Sequence, residues 1–264
     1  MISSSNENLR NLLITISYDG SKYHGWQIQQ NAVTVQEVFQ NALYSVINDK
    51  PDIKACSRTD TGVHAEMFCI SAKISHPIPA VRLKAALNSY LPDSVVVLDV
   101  VEAPLDFHAR YNAKGKRYVY RILNRLERDP FYVGRALHYK HSIDTELLNK
   151  ACKAFIGSHD FTSFCTLDKR EKGDFVRTIY DCSVVRKGDI VEFTVEGSGF
   201  LYNMVRIMVG TLLYINEGKI SPDAIPEIIK AEDRSLAGPT APPQGLYLNK
   251  VFYDFRKEEQ YEKA

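Results

Sequence analysis

Between Glu196 and Glu217 lie twenty residues that carry a single charge, Arg206. A stretch of that length and polarity suits either a lipid-spanning helix or a helix buried in a protein core. It opens Gly197-Ser198-Gly199 and holds Asn203, Arg206 and Gly210 inside. A cation at the middle of a lipid-facing helix costs roughly 3 kcal/mol or more, so the spacing predicts a buried helix from about Tyr202 to Ile215 in a soluble protein. Composition agrees: of 264 residues, 45% are hydrophobic and 25% charged, with 33 Lys+Arg against 32 Asp+Glu. Twelve Phe and fifteen Tyr exclude disorder, and the length allows one large domain or two smaller ones without covalent staples.

The remaining pattern is a repeated alternation of short strands and helices. Asn11 to Tyr18 reads as a strand, and a capping box at Thr34 and Glu37 opens a helix with Val35, Val38, Phe39, Ala42, Leu43, Val46 and Ile47 at helical spacing. Phe68, Ile70, Ala72 and Ile74 alternate as a strand; Ala80 to Leu91 reads as a helix ended by Pro92, and Val95 to Val101 as a strand. The second half repeats this grammar: a strand at 118–123, a helix near Asp144 to Phe155, and strands near Thr178–Val185 and Val191–Val195. A short helix capped by Ser221-Pro222 follows, and a closing strand at Leu246 to Tyr253. Several strands follow one another with no helix between them, which points to α+β halves with hairpin-like pairs and not to a doubly wound parallel sheet.

The five cysteines are scattered and never closer than 13 positions, and the polar run Met1 to Asn11 has the wrong character for a signal peptide. The expectation is a cytoplasmic protein without a membrane segment. No phosphate-binding loop, dinucleotide fingerprint, HExxH or CxxC occurs, so the site is expected to need no cofactor and no metal.

Three features bear on chemistry. Cys56-Ser57-Arg58-Thr59-Asp60-Thr61-Gly62-Val63-His64-Ala65 is a dense polar run, readable as a surface turn tipped by Asp60-Thr61-Gly62 or as a carboxylate held by neighbouring hydroxyls. Arg206 sits among Met204, Val205, Ile207, Met208, Val209, Leu212 and Leu213. It either snorkels, forms a structural pair, or meets a carboxylate that it keeps ionised. Arg110 to Arg135 holds eight cations against Glu127 and Asp129, net 8 − 2 = +6, interleaved with Tyr111, Tyr118 and Tyr120. Such a run is a solvated face, or a nucleic-acid contact that supplies phosphate partners and a stacking face.

Together these residues resemble the TruA family of tRNA pseudouridine synthases over about Leu12 to Tyr253. Tyr18-Asp19-Gly20 to Gly25-Trp26-Gln27 is similar to the family's opening motif. Ser57 to Ala65 is similar to its catalytic loop, with Ser57 and Thr61 where Gly and Ala are usual. Phe107-His108-Ala109-Arg110 with Lys116-Arg117-Tyr118-Val119-Tyr120, Gly199-Phe200 to Met204-Val205-Arg206, and Gly245-Leu246-Tyr247-Leu248 resemble the later motifs.

The resemblance implies a pseudouridine synthase fold: two RRM-like halves, 1–108 and 109–264, sharing a mostly antiparallel central sheet with helices on one side. It implies a homodimer that isomerises uridine to pseudouridine in the anticodon stem-loop of tRNA, positions 38–40. Asp60 would be the catalytic carboxylate, Tyr118 an active-site tyrosine and Arg206 the partner of the aspartate, with Arg58, Leu246, Arg110, Lys114, Lys116 and Arg117 on the substrate. Two rivals differ in class. An RNA-binding module would lack turnover, although Asp60, Tyr118 and Arg206 are all present. A glycosidase-like hydrolase ordinarily needs two carboxylates, and the catalytic loop offers no obvious acid partner.

Overall fold

The computed structural model describes residues 9–166 and 173–254; the polar run at the start of the chain lies outside them up to residue 8. The chain forms two compact units, one running to Lys114 and resumed from Leu248, the other spanning Gly115–Tyr247. Each is a mixed α/β fold around mostly antiparallel strands.

In the first unit the order is β4 (Val95–Ala103), β1 (Arg10–Tyr18), β3 (His64–Ile74) and the 248–252 part of β10 (Leu246–Phe252), with the short β2 (Ile53–Ala55) also on β3. Ile14 of β1 faces Ile70 of β3 on one side and Val100 of β4 on the other, both antiparallel. Leu12, Leu13, Ile14 and Ile16 are all fully buried, so both faces of β1 are covered and its sequence is a run of apolar residues with little alternation. The cap expected at Thr34 is present: its hydroxyl accepts from the Glu37 N–H at 3.4 Å and opens α1 (Val35–Ile47), whose Val35, Phe39, Ala42, Leu43 and Ile47 are buried. The helix α2 (Ala80–Tyr90) is tied to β4 by Asn88, whose amide donates to Val97 O at 3.0 Å and accepts from Val97 N–H at 2.7 Å.

The second unit orders β5 (Gly115–Leu123), β9 (Ile190–Gly197), β8 (Val176–Lys187) and β7 (Gly157–Asp160), with the two-residue β6 (Leu137–His138) parallel to β5. β8 and β9 form a hairpin through Gly188 at φ +60°, a left-handed turn position that suits glycine. The helix α3 (Thr145–Cys152) is capped by Asp144, whose carboxylate accepts from Leu147 N–H at 2.9 Å.

The near-uncharged stretch becomes α4 (Met204–Asn216), with ten of its residues buried. At 13 residues it is about 20 Å long at 1.5 Å per residue, and among the described residues no helix is long and apolar enough to cross a membrane. Gly210 is there for close approach: a Cβ on it would collide with Pro239 O, and one on Gly238 would lie 2.5 Å from Gly210 O. The segment 234–241 crosses the helix at that point, with Gly238 N–H donating to Thr211 Oγ1 at 2.9 Å. One expected boundary moves. The helix predicted from Ser221-Pro222 starts later, as α5 (Ile225–Ala231), because 221–224 closes into a turn through Ala224 N–H to Ser221 O at 3.0 Å and Pro226 occupies the first helical turn.

Candidate active site

Asp60 lies on the loop between β2 and β3, half-buried. The strand pairing continues one residue past β2, with Cys56 N–H donating to Cys69 O at 2.8 Å and Cys69 N–H to Cys56 Sγ at 3.3 Å. The loop then turns against the opening motif. Thr59 O accepts from Trp26 N–H at 3.1 Å, Gly62 N–H donates to Tyr23 O at 3.3 Å, and Val63 N–H donates back to Asp60 O at 3.1 Å. Buried Thr59 shares a 2.8 Å hydrogen bond between its hydroxyl and the Tyr18 phenol. Trp26, one turn of chain away, stacks on Phe68 of β3 with ring centroids 4.2 Å apart.

Two glycines make this closeness possible. Gly25 has φ +79°, and a Cβ there would collide with Thr59 O and lie 3.1 Å from the Asp60 carbonyl carbon. A Cβ on Gly20 would collide with Val63 O, while Gly20 N–H donates to His64 Nδ1 at 3.0 Å. The two motifs, about forty residues apart in sequence, therefore form one rigid body that fixes the backbone of Asp60. Arg58 and Thr61 are exposed and Ser57 half-buried, so of the two departures from the usual loop sequence Thr61 faces solvent and Ser57 is partly covered.

In the second unit Tyr118 is buried on β5, edge-on to Phe200 at 5.0 Å between centroids. Arg206 stands in the first turn of α4 and is half-buried, less enclosed than its apolar neighbours in sequence suggest. Its Nε donates to Ala241 O at 2.7 Å and its Nη1 to Asn203 Oδ1 at 2.8 Å. Asn203 takes φ +61°, and its amide donates to Thr166 Oγ1 at 3.0 Å. A capping asparagine and the crossing segment thus hold the guanidinium; Asn203 lies only three residues from Arg206 in the sequence, whereas only the fold brings 241 to 206. Burial pushes the neighbouring Tyr120 phenol well above its ordinary range, against the pull of Arg206. It stays protonated and donates to Pro242 O at 2.7 Å. Leu246 is buried at the start of β10.

The basic segment is less positive in space than in sequence. The β5–β9 register sets Arg117 opposite Glu196 and Arg121 opposite Glu192. The Arg117 Nε donates to Glu196 Oε1 at 2.6 Å and the Arg121 Nε to Glu192 Oε1 at 3.2 Å. Arg125 meets Asp189 at 3.1 Å and Asp129 at 3.3 Å, and Lys114 meets Asp254 at 2.9 Å. Burial works against ionisation of Glu192, but hydrogen bonds from Lys187 and Arg121 outweigh it and hold the carboxyl below its ordinary range. Lys116 is buried, while Arg110, Arg128 and Arg135 are exposed. Among the described residues no group of three or more His, Cys, Asp or Glu is placed to hold a metal ion.

A family model described as tRNA pseudouridine synthase matches residues 14–112 and 151–254, which include Asp60, Arg206 and Leu246 but not the stretch that carries Tyr118. The chain belongs to that family. The tRNA pseudouridine synthase A of Thermoanaerobacter sp. (strain X514) is 46% identical over 245 residues, 93% of this chain and 100% of that protein. That of Clostridium acetobutylicum is 44% identical over the same shares, and that of Geobacillus sp. (strain WCH70) is 45% identical over 91% of this chain and 97% of its own. Among solved structures, a Cbf5-Nop10-Gar1 complex is similar over 76% of this chain and 53% of that one, at 10% identity and a TM-score of 0.33, too distant to bear on the fold. As a family member this chain is an isomerase that acts on tRNA, and the α+β class with mostly antiparallel strands expected from its sequence holds within each unit.

Proposed function

We propose that the protein converts uridine to pseudouridine in the anticodon stem-loop of tRNA, at positions 38–40, with Asp60 as the catalytic carboxylate. The reading rests on one observation above others: Asp60 is half-buried on a loop that Tyr18 holds through the Thr59 hydroxyl and whose backbone is clamped by Gly20, Tyr23, Gly25 and Trp26. A solvated turn would need no such frame.

The isomerisation breaks the N1–C1′ bond, rotates the uracil and joins C5 to C1′, so substrate and product have the same atoms and the same oxidation state. A uridine inside a helical stem is out of reach until it is flipped. Asp60 then acts on the ribose, at C1′ as nucleophile or at C2′ as base, and either route needs an ionised carboxylate. Arg206 is the group assigned to keep it so, since a cation beside a carboxylate lowers its pKa by ~1–3 units. Tyr118 is assigned to the face of the flipped base, with Leu246 beside it, and Arg58, Arg110, Lys114, Lys116 and Arg117 to the RNA backbone. No cofactor or metal is assigned to any step.

The two halves 1–108 and 109–264 are assigned these roles in a cytoplasmic homodimer. Leu126, Phe131 and Val133, which fall within one short stretch and are 69%, 80% and 73% exposed, support a surface covered by a second chain. Purified protein incubated with an anticodon stem-loop RNA, followed by chemical mapping of pseudouridine, tests the activity. Formation at 38, 39 or 40 with EDTA present is the expected result, and an RNA left unmodified there would overturn the reading.

A further inference from the structure

The turn after β4 holds an exposed aromatic ring that the fold goes to some length to fix. Ala109 is fully buried, and both its backbone groups are taken by side chains: its N–H donates to Ser71 Oγ at 3.1 Å, and its carbonyl accepts from the Tyr253 phenol at 2.6 Å. Around that anchor the turn closes on itself. His108 N–H donates to Asn112 Oδ1 at 2.7 Å, Asn112 N–H to His108 O at 3.0 Å, and Arg110 N–H to His108 Nδ1 at 3.1 Å. Tyr111 stands out of this turn, 77% exposed. Its ring lies 4.3 Å from the His108 imidazole at an interplanar angle of 38°, and the Arg110 guanidinium is 6.0 Å from its centroid.

An exposed tyrosine in isolation means nothing. This one is held in a preformed frame without being buried, so the entropy of ordering it is not recovered from the core. Its surroundings define what the free face would take. Burial and the nearby Lys54 charge hold the His108 imidazole below its ordinary pKa, and its Nδ1 is occupied as an acceptor, so the ring beside Tyr111 is a neutral stacking partner. Arg110 is exposed next to it. A neutral aromatic pair flanked by cations matches an unstacked nucleotide, whose base needs a π-face and whose phosphate needs a positive charge. An acidic peptide would use the cations and leave the ring idle.

We propose that Tyr111, backed by His108, is a stacking platform for an unpaired nucleotide of the RNA substrate, with Arg110 on the adjacent phosphate. This rests on the tRNA-modifying role above and adds a defined contact to it. The test is binding of a fluorescently labelled anticodon stem-loop RNA to the full chain by anisotropy, across a salt series. Tyr111→Leu is expected to weaken binding at least about fivefold with an unchanged salt slope, because stacking is lost but no phosphate contact is. Tyr111→Phe keeps the ring and is expected to bind within twofold of wild type, whereas Arg110→Gln lowers the slope by about one.

Wild-type affinity in Tyr111→Leu would overturn the inference, as would an equal loss in Tyr111→Phe. Displacement of the RNA by poly-glutamate in a Tyr111-dependent way would assign the platform to an acidic partner and overturn it too. Pseudouridine formation by the wild-type preparation, measured alongside, separates failure of this inference from failure of the activity on which it rests.

Discussion

The Tyr18 phenol and the Thr59 hydroxyl share a buried hydrogen bond of 2.8 Å, one residue before Asp60 in the chain and across from it in the fold. Tyr18 ends β1 and Thr59 begins the turn that presents the carboxylate, so the bond ties the Asp60 loop to an inner strand of its unit. Tyr18→Phe leaves the Thr59 hydroxyl without that partner at a cost of ~1–3 kcal/mol. The expected outcome is a melting temperature lowered by a few degrees and a kcat that falls more than tRNA affinity does. Steady-state kinetics and an RNA titration on the same variant measure the split; a proportional fall in both would mean that the bond serves only the fold.

Gly25 offers a sharper test of the same frame. Its φ of +79° is costly for any other residue, and the added methyl would also collide with Thr59 O. Gly25→Ala is expected to push the 59–60 backbone away, abolishing turnover while the second unit's secondary structure persists in circular dichroism. Wild-type turnover in Gly25→Ala would show that the loop tolerates displacement.

The Glu192 carboxyl gives a pH dependence of stability. Its folded pKa lies below the ordinary range because hydrogen bonds from Lys187 and Arg121 outweigh the opposing effect of burial. The folded state therefore holds the ionised form more tightly than the unfolded state does. That stabilisation is complete above the unfolded carboxyl's pKa and is lost as pH falls through the folded one. Glu192→Gln is expected to flatten the acid limb of a melting-temperature profile and leave its neutral region nearly parallel to wild type. An acid limb of unchanged slope would count against the assignment.

RNA affinity should discriminate among the cations that look alike in sequence. Arg121 is committed to Glu192 and to the Tyr247 ring, 4.3 Å from its guanidinium, whereas Arg128 is exposed. Arg128→Gln is expected to lower the salt slope of tRNA binding by about one, and Arg121→Gln by much less. Equal slopes for the two would mean that the cross-strand acids do not neutralise their partners when RNA is bound.

How much of this was legible beforehand depends on range along the chain. The α1 cap at Thr34, the buried α4 and the β8–β9 hairpin follow from local periodicity and capping chemistry, and they appear with boundaries shifted by a few residues. The carboxylate loop could be singled out by composition, but its clamp could not. Gly20 and Gly25 read locally as turn residues, and only the pairing of β1 with β3 brings them against Thr59 and Val63. The same limit explains the basic segment: a register between β5 and β9 places Glu192 and Glu196 across from Arg121 and Arg117, and no window of sequence contains both partners. Gly210 is the converse case, a glycine that weakens α4 locally and makes sense only once 234–241 is seen to cross it.

Asp60→Asn is the substitution that most directly tests the proposed chemistry. It keeps the side chain's size, and the backbone hydrogen bonds that shape the turn, Val63 N–H to Asp60 O and Trp26 N–H to Thr59 O, do not involve the carboxylate. Arg206 donates to Ala241 O and Asn203 Oδ1 and is only half-buried, so its guanidinium keeps these acceptors whichever residue stands at position 60. The variant is expected to fold with a melting temperature within several degrees of wild type, to bind tRNA within a few-fold because phosphate contacts dominate affinity, and to form no detectable pseudouridine. The amide can neither attack C1′ nor take a proton from C2′, so the prediction holds for both routes. A folded Asp60→Asn protein turning over near the wild-type rate would remove Asp60 from the mechanism, and with it the roles given to Arg206 and Tyr118, since both are defined by the carboxylate they serve.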